Sequence, residues 1–591
     1  MNSHEIDAKL EGLPIDEFFE KSFKKLVLRD PQLVTRLRMA KELGMRNDTL
    51  KNLSDTYIRE THALEKKILT LLRKYNPEEL TPEQKLSYQV YEWFLDDLVR
   101  GHKFMYHNYP VHHFLGSYDE DLKQLFIELH IVNTKEDAQD YVSRLSLVYT
   151  QIEQLLEGLK IREEKGIIPP NFIIEMTRNK IKRFLHTDSS DSSIDAIDET
   201  LLVLYTSFEE KLKNVSMPPK EKQKLLKEAQ TQIKTSVIPG FLKLLEYLKY
   251  LEPLATDAAG VWKFPEGDEY YIYALRKETS TDLTPDEIHA IGLQEVERIQ
   301  KEMRTIFDSM GYPDTEPVNA LIMRTTEEGG YIDTTTPKGK DTVIKTYEKI
   351  LDDVAHKLET VCDLHPKTEL VVYGDMDFGG GGGYFVSGAT DGSRPAMFHT
   401  GVGGSKVPVF RMPAIAYHEA IPGHYFQVSI AKELDLPRFR NEIPFTAYIE
   451  GWGMYAEFLA YELGVYNNNP HGNIGRLLLE LLRAVRLVVD TGIHSKKWTR
   501  EKAQEYMKDI MGNGGAFHEV DRFIVLPAQA VGYKIGMLKI LELREKAQNA
   551  LKDTFDIKEF HRVILGNGGM PLDILEQIVD EYIDETLHSK G

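Results

Sequence analysis

The residues best suited to chemistry lie in one short run, His418-Glu419-Ala420-Ile421-Pro422-Gly423-His424, where two imidazoles bracket a carboxylate at the end of an apolar segment. Imidazole and carboxylate are the ordinary ligands of a zinc ion, and a glutamate next to a ligand histidine is placed to move protons. The run resembles the helix of zinc peptidases that carries histidines four positions apart, about 40° from each other around the axis. Here the spacing is six, which on an unbroken helix would turn the second ring about 120° away. A shared metal therefore requires a distortion between the rings. Pro422 removes a backbone donor and Gly423 tolerates unusual dihedrals, so the break is expected there.

A third ligand is expected from the segment Tyr448 to Glu457, which holds Glu450 and Glu457 seven positions apart and so on one helix face. One of them would bind the metal while the other orients a histidine. Trp452, Tyr455 and Phe458 around them predict a partly buried helix. Further along, Arg486, Asp490 and His494 recur every four residues and share a face. They suit either a catalytic cluster, with Asp490 orienting a partner, or a polar group that ties helices together. Arg486 and His494, with Tyr533, are candidate donors to a developing oxyanion. Arg522 suits a substrate carboxylate, or else pairs with Asp521 or Glu519.

Five consecutive glycines, Gly379 to Gly383, lack the Lys-Ser/Thr of a phosphate loop and the spacing of a dinucleotide site. They fit a mobile turn beside strands, ELVVYGDMDF and YFVSGA, whose edges could hold an extended peptide. Tyr384 and His399 either line that region and touch substrate or simply fill space.

Elements that position these residues are mostly helices. From about residue 15 to 255, long amphipathic stretches such as QKLLKEAQTQIKTSVIPGFLKLLEYLKYLE predict a helical scaffold. Thr81-Pro82-Glu83-Gln84 and Thr284-Pro285-Asp286-Glu287 are helix starts. Residues 185 to 195 and Leu254 to Trp262 are expected loops, the second a boundary between an N-terminal helical lobe (1–255) and a catalytic lobe (256–591). The predicted fold is mainly α: two helical lobes with a deep cleft, and a small β-sheet next to the zincin-like helix.

With 591 residues, 42% of them hydrophobic, the chain can bury more than one core. A formal charge of −20 without a Lys/Arg block argues against nucleic acid. The single cysteine, Cys362, excludes a disulfide framework and a cysteine zinc site. The absence of an apolar run of about 18 residues predicts no membrane span. The expected setting is soluble and cytoplasmic, or exported if a signal peptide or lipoprotein leader is missing from this chain. Oligomeric state is not legible.

Four blocks, HEAIPGHYFQ, EGWGMYAE, RLVVDTGIHSKKWTREKAQEYM and EVDRFIVLPAQAVGYKIG, resemble the signatures of the domain of unknown function 885 family, and TPDEIHAIGLQEV resembles a fifth. The resemblance spans nearly the whole chain. It implies a zinc metallopeptidase similar to the neurolysin-like gluzincins, with His418, His424 and Glu450 as ligands, Glu419 as general base, and Tyr533 as the phenol donor of similar gluzincins. Tyr425 departs from the family block, which usually carries a second histidine there. The expected substrate is a short peptide; the alternatives are a zinc amidase acting on a small non-peptide amide, or an inactive metal-binding scaffold.

Overall fold

The computed structural model describes residues 10–187, 197–376, 378–388, 394–512 and 517–588. Most of the expected loop at 185–195, and Asp377 and Ala389 at the ends of the two expected strand segments, lie outside those residues. The chain forms two compact units, one of Met1–Leu80 with Phe94–Gly267 and one of Thr81–Trp93 with Asp268–Gly591. The division falls at residue 267 rather than near 255, and a short N-terminal segment belongs to the second unit.

The first unit is helical. Its longest helix, α1 (Lys135–Glu164), starts at a capping box in which Thr134 accepts from the Asp137 amide and Asp137 accepts from the Thr134 amide. Its buried stripe, Tyr141, Leu145, Val148, Ile152 and Leu155, meets Phe241, Leu244 and Leu248 of α2 (Ile238–Leu251) in one core.

In the second unit, α3 (Pro285–Ser309) begins at the predicted Thr284 box, with Glu287 closing it. The Thr81 start is also formed, with Thr81 and Gln84 exchanging hydrogen bonds. Helix α4 (Pro337–Leu358) follows the short strand β1 (Tyr331–Asp333). The glycine-flanked segments then give β2 (Leu370–Asp375), β3 (Gly383–Val386), β4 (Ala396–Gly401) and β5 (Lys406–Pro408). These make two small sheets rather than one. β1 pairs antiparallel with β5, while β2 and β3 flank β4, parallel and antiparallel respectively. Gly380 and Gly381 adopt φ of +72° and +70° in the turn before β3, which only glycine does at little cost. Ala396 and Phe398 point inward from β4 to meet Val343 and Tyr347 of α4.

Six helices complete the part that matters for chemistry: α5 (Met412–Glu419), α6 (His424–Glu433), α7 (Thr446–Glu462), α8 (Pro470–His494), α9 (Phe517–Val525) and α10 (Gly532–Leu551). α7 and α10 cross where two glycines meet. A methyl group on Gly451 would lie 2.5 Å from the Gly536 carbonyl carbon, and one on Gly536 would lie 1.9 Å from the Ala447 oxygen. α3 approaches α8 in the same manner at Gly292, where an added methyl would meet Leu487 and Val488 at 2.8 Å.

Candidate metal centre

The HEAIPGH run is two short helices, not one kinked helix. α5 ends at Glu419, Ala420 leaves helical dihedrals (φ −120°, ψ −98°), and α6 restarts at His424 after Gly423. The Ile421–Pro422 peptide is cis. Gly423 is obligatory here, because a methyl would sit 1.9 Å from the His418 carbonyl oxygen. The Trp452 indole N–H donates to the Pro422 carbonyl at 2.8 Å and pins the turn to α7. The two imidazoles are thereby brought face to edge, with centroids 4.6 Å apart.

α7 completes the cluster with a stripe at i, i+3 and i+7: Glu450, Gly453 and Glu457. Glu450 Oε2 lies 3.3 Å from His418 Nε2 and 3.2 Å from His424 Nε2, and His418, His424 and Glu450 each offer a ligand atom within 4.8 Å of the others. Gly453 leaves room for the rings, since a methyl there would meet His418 Cε1 at 2.8 Å and His424 Cε1 at 3.0 Å. Glu457, 3% exposed, accepts from His418 Nδ1–H at 2.8 Å. That bond fixes the tautomer that turns the Nε2 lone pair toward Glu450. Glu450 Oε2 is buried with no hydrogen-bond partner among the described residues, although two ring nitrogens flank it. Two histidines and a carboxylate converging on one buried, unsatisfied oxygen are a donor set that fits zinc.

Electrostatics of the side chains themselves show how tightly the groups are coupled. Burial opposes a charged His418, but the nearby Glu450 carboxylate and the bond to Glu457 push it up to about 10. Burial would raise Glu450, yet His424 and His418 hold it well below the usual carboxylate range. Among the described residues Glu419 hydrogen-bonds to no other side chain; burial raises its pKa, and the two histidines and Arg483 oppose that rise.

Tyr533, at the start of α10, stacks with its ring 6.4 Å from that of His418 and nearly parallel to it, at 10°. Burial first, and then the Glu450 charge, push its phenol up, so it is a proton-bearing donor. Arg486 lies 4.9 Å from the Tyr533 ring centroid and Arg522 6.0 Å, and Arg522 Nη2 reaches the phenol oxygen at 3.5 Å. Both guanidiniums lean on Glu519, Arg486 at 2.8 Å and Arg522 at 3.6 Å.

Other expected residues go elsewhere. His494 is fully buried, contacts the Tyr271 ring and donates from Nε2 to the Phe523 carbonyl at 2.9 Å, so it holds helices together and cannot reach a substrate. Asp490, also fully buried, accepts from the Tyr271 hydroxyl at 2.6 Å and from the Ala528 amide at 3.1 Å. It thus secures Ala528 in a left-handed conformation (φ +69°) that alanine rarely adopts, and touches no ligand histidine. Burial pushes Asp490 up to about 7 against those two bonds. Tyr384 and His399 stack at 4.6 Å on the outward face of the three-stranded sheet, where Tyr384 donates to Asp375. Tyr425 donates to the Thr368 carbonyl at 2.6 Å, so the position that departs from the family block points away from the ligands toward the sheet.

Sequence spacing missed Gly453 and Arg483. The glycine stands midway between two glutamates already singled out, which is the one signal that could have marked it. A second trio, His62, Glu65 and His102, also lies within 4.8 Å in the first unit. There the rings stack at 3.9 Å and His102 Nε2 donates to Glu65 at 2.7 Å, an arrangement complete as a hydrogen-bonded pair.

No helix among the described residues is long and apolar enough to cross a membrane. Two solved structures share the fold. "The putative lipoprotein from Colwellia psychrerythraea" is 27% identical, with a TM-score of 0.89 over 97% of this chain and 99% of that one. "A putative lipoprotein of unknown function from Shewanella oneidensis" is 17% identical, with a TM-score of 0.72 over 96% of this chain and 100% of that one. No curated protein matches the chain. Residues 38–579 match the family described as "Bacterial protein of unknown function (DUF885)", which covers most of the chain, and the protein belongs to that family.

Proposed function

We propose that this protein is a zinc-dependent hydrolase that cleaves peptides. The observation that carries the reading is the convergence of His418 Nε2 and His424 Nε2 on a buried, unpartnered Glu450 oxygen, with Glu457 fixing His418 from behind. His418, His424 and Glu450 would hold the ion, which when bound supplies a Lewis acid and an acidified water. Glu419 is adjacent and, among the described residues, hydrogen-bonded to no other side chain, so it takes a proton from the attacking water and returns it to the leaving amine. Burial raises its pKa, which makes it a stronger base for the first half of that shuttle. Tyr533 donates its phenol hydrogen to the carbonyl oxygen as negative charge develops there.

The test is metal analysis of the purified protein, followed by digestion of a peptide library with and without chelator. Zinc near one equivalent and chelator-sensitive cleavage are expected. Zinc without cleavage would favour a non-peptide amide or a scaffold, and absence of zinc would remove the hydrolase reading. Glu419→Gln should keep the zinc and lose at least about a hundredfold in kcat. The description of the Colwellia relative as a lipoprotein favours an exported setting, which cell fractionation tests.

A further inference from the structure

Three guanidiniums crowd the Tyr533 ring: Arg486 at 4.9 Å, Arg483 at 5.9 Å and Arg522 at 6.0 Å. Glu519 is the carboxylate that answers them, bonded to Arg486 at 2.8 Å and reaching Arg522 at 3.6 Å. Arg522 also donates to Gln529 at 2.5 Å. Arg483 is different. Among the described residues its one hydrogen bond goes to the Leu479 carbonyl of its own helix, at 3.2 Å, and its Nε is buried without a partner. Arg411 stands close enough for the two cations to repel, and its Nε is likewise buried and unpartnered. Partly buried arginines are nearly always matched by an acceptor, because a desolvated guanidinium without one is costly. Glu419 and Glu519 act on Arg483 only through space and neither bonds to it, and Arg483 remains partly exposed to receive a ligand.

We infer that Arg483 binds the C-terminal carboxylate of the substrate, which makes the protein a carboxypeptidase or dipeptidyl carboxypeptidase rather than an endopeptidase. The inference rests on the hydrolase reading above. A planar guanidinium fork matches a carboxylate in two parallel hydrogen bonds. An extended chain advances about 3.5 Å per residue, and the Arg483 guanidinium carbon lies 5.9 Å from the Tyr533 ring centroid, so a terminus bonded to that guanidinium falls one or two residues beyond the bond whose carbonyl the phenol contacts. Water adds across the C–N bond: the new acid stays on the longer fragment, and the released residue or dipeptide leaves with a protonated amine. Arg486 and Arg522, tied to Glu519, hold the Tyr533 ring and leave Arg483 to the ligand.

Three zinc-loaded assays with one peptide sequence separate the outcomes: the free acid, its C-terminal amide, and an amide carrying an internal glutamate one residue beyond the target bond. The free acid should exceed the simple amide in kcat/KM at least thirtyfold. Arg483→Gln should bring that ratio below threefold, mainly through KM, and Arg483→Lys should restore part of it. Equal cleavage of acid and amide, or an unchanged ratio in Arg483→Gln, overturns the inference while the hydrolase stands. Preference for the internal glutamate replaces a terminal ligand by a side-chain one and overturns it too. If no peptide is cleaved the peptidase reading fails, and calorimetric binding to Glu419→Gln still decides the carboxylate site, with tenfold tighter binding of acid than amide expected and equal binding overturning it.

Discussion

At the scale of single residues, the proposed ligands depend on two neighbours that touch no metal. Glu457 holds His418 Nδ1 at 2.8 Å, and loss of such an outer hydrogen bond typically costs 10- to 100-fold in metal affinity. Glu457→Gln, which keeps the shape but can no longer act as a charged acceptor, should weaken zinc by about tenfold in a competition titration with a chromophoric chelator. Gly453→Ala places a methyl 2.8 Å from the His418 ring, and should cost at least as much affinity with the same readout. The two glutamates were legible from their spacing, because helical periodicity states which residues share a face. Gly453 was not, since periodicity does not state what that face meets. His494 and Asp490 show the same gap from the other side: their shared face is real, but it meets Tyr271, Ala528 and Phe523 instead of the ligands.

Among elements, the break between α5 and α6 was legible because proline and glycine act locally, while the angle at which the new helix departs is set by Trp452 thirty residues away. α7 and α10 depend on the Gly451–Gly536 contact. Gly536→Ala must displace the Ala447 carbonyl, so we expect a loss of about 1 to 3 kcal/mol in urea unfolding, together with slower hydrolysis because Tyr533 moves with α10. The far end of α7 carries a pH dependence. Tyr455 donates to His561 Nε2 at 2.7 Å and His561 Nδ1–H donates to the Val361 carbonyl at 2.8 Å, so His561 is neutral. Burial lowers it from an ordinary 6.5 to about 4, so the unfolded chain binds a proton that the fold refuses. Its contribution is therefore intact above pH 6.5 and is lost as pH falls toward 4. Urea midpoints should fall between pH 7 and pH 5, and His561→Gln, weaker at pH 7, should lose less over the same interval.

For the whole molecule, composition and periodicity were enough to read a mainly α chain of more than one unit, and family blocks spread along it agree with the matched residues 38–579. The division at residue 267 was not legible, because Thr81–Trp93 joins the second unit through contacts far along the chain. All four residues of the proposed centre, His418, His424, Glu450 and Glu457, lie in that second unit. Zinc at a thousand times its Kd should stabilise it by about 4 kcal/mol. Hydrogen exchange should therefore slow across α5, α6 and α7 when zinc is added, while α1 serves as the internal reference; equal exchange in α7 with and without the ion would contradict the assigned ligands. Where α7 meets α10, bare main chain rests on bare main chain, and nothing at that point can swivel or compress. The path of the main chain that carries Tyr533 is thus set by two backbones in direct contact, and warming should leave their spacing unaltered until the crossing itself parts.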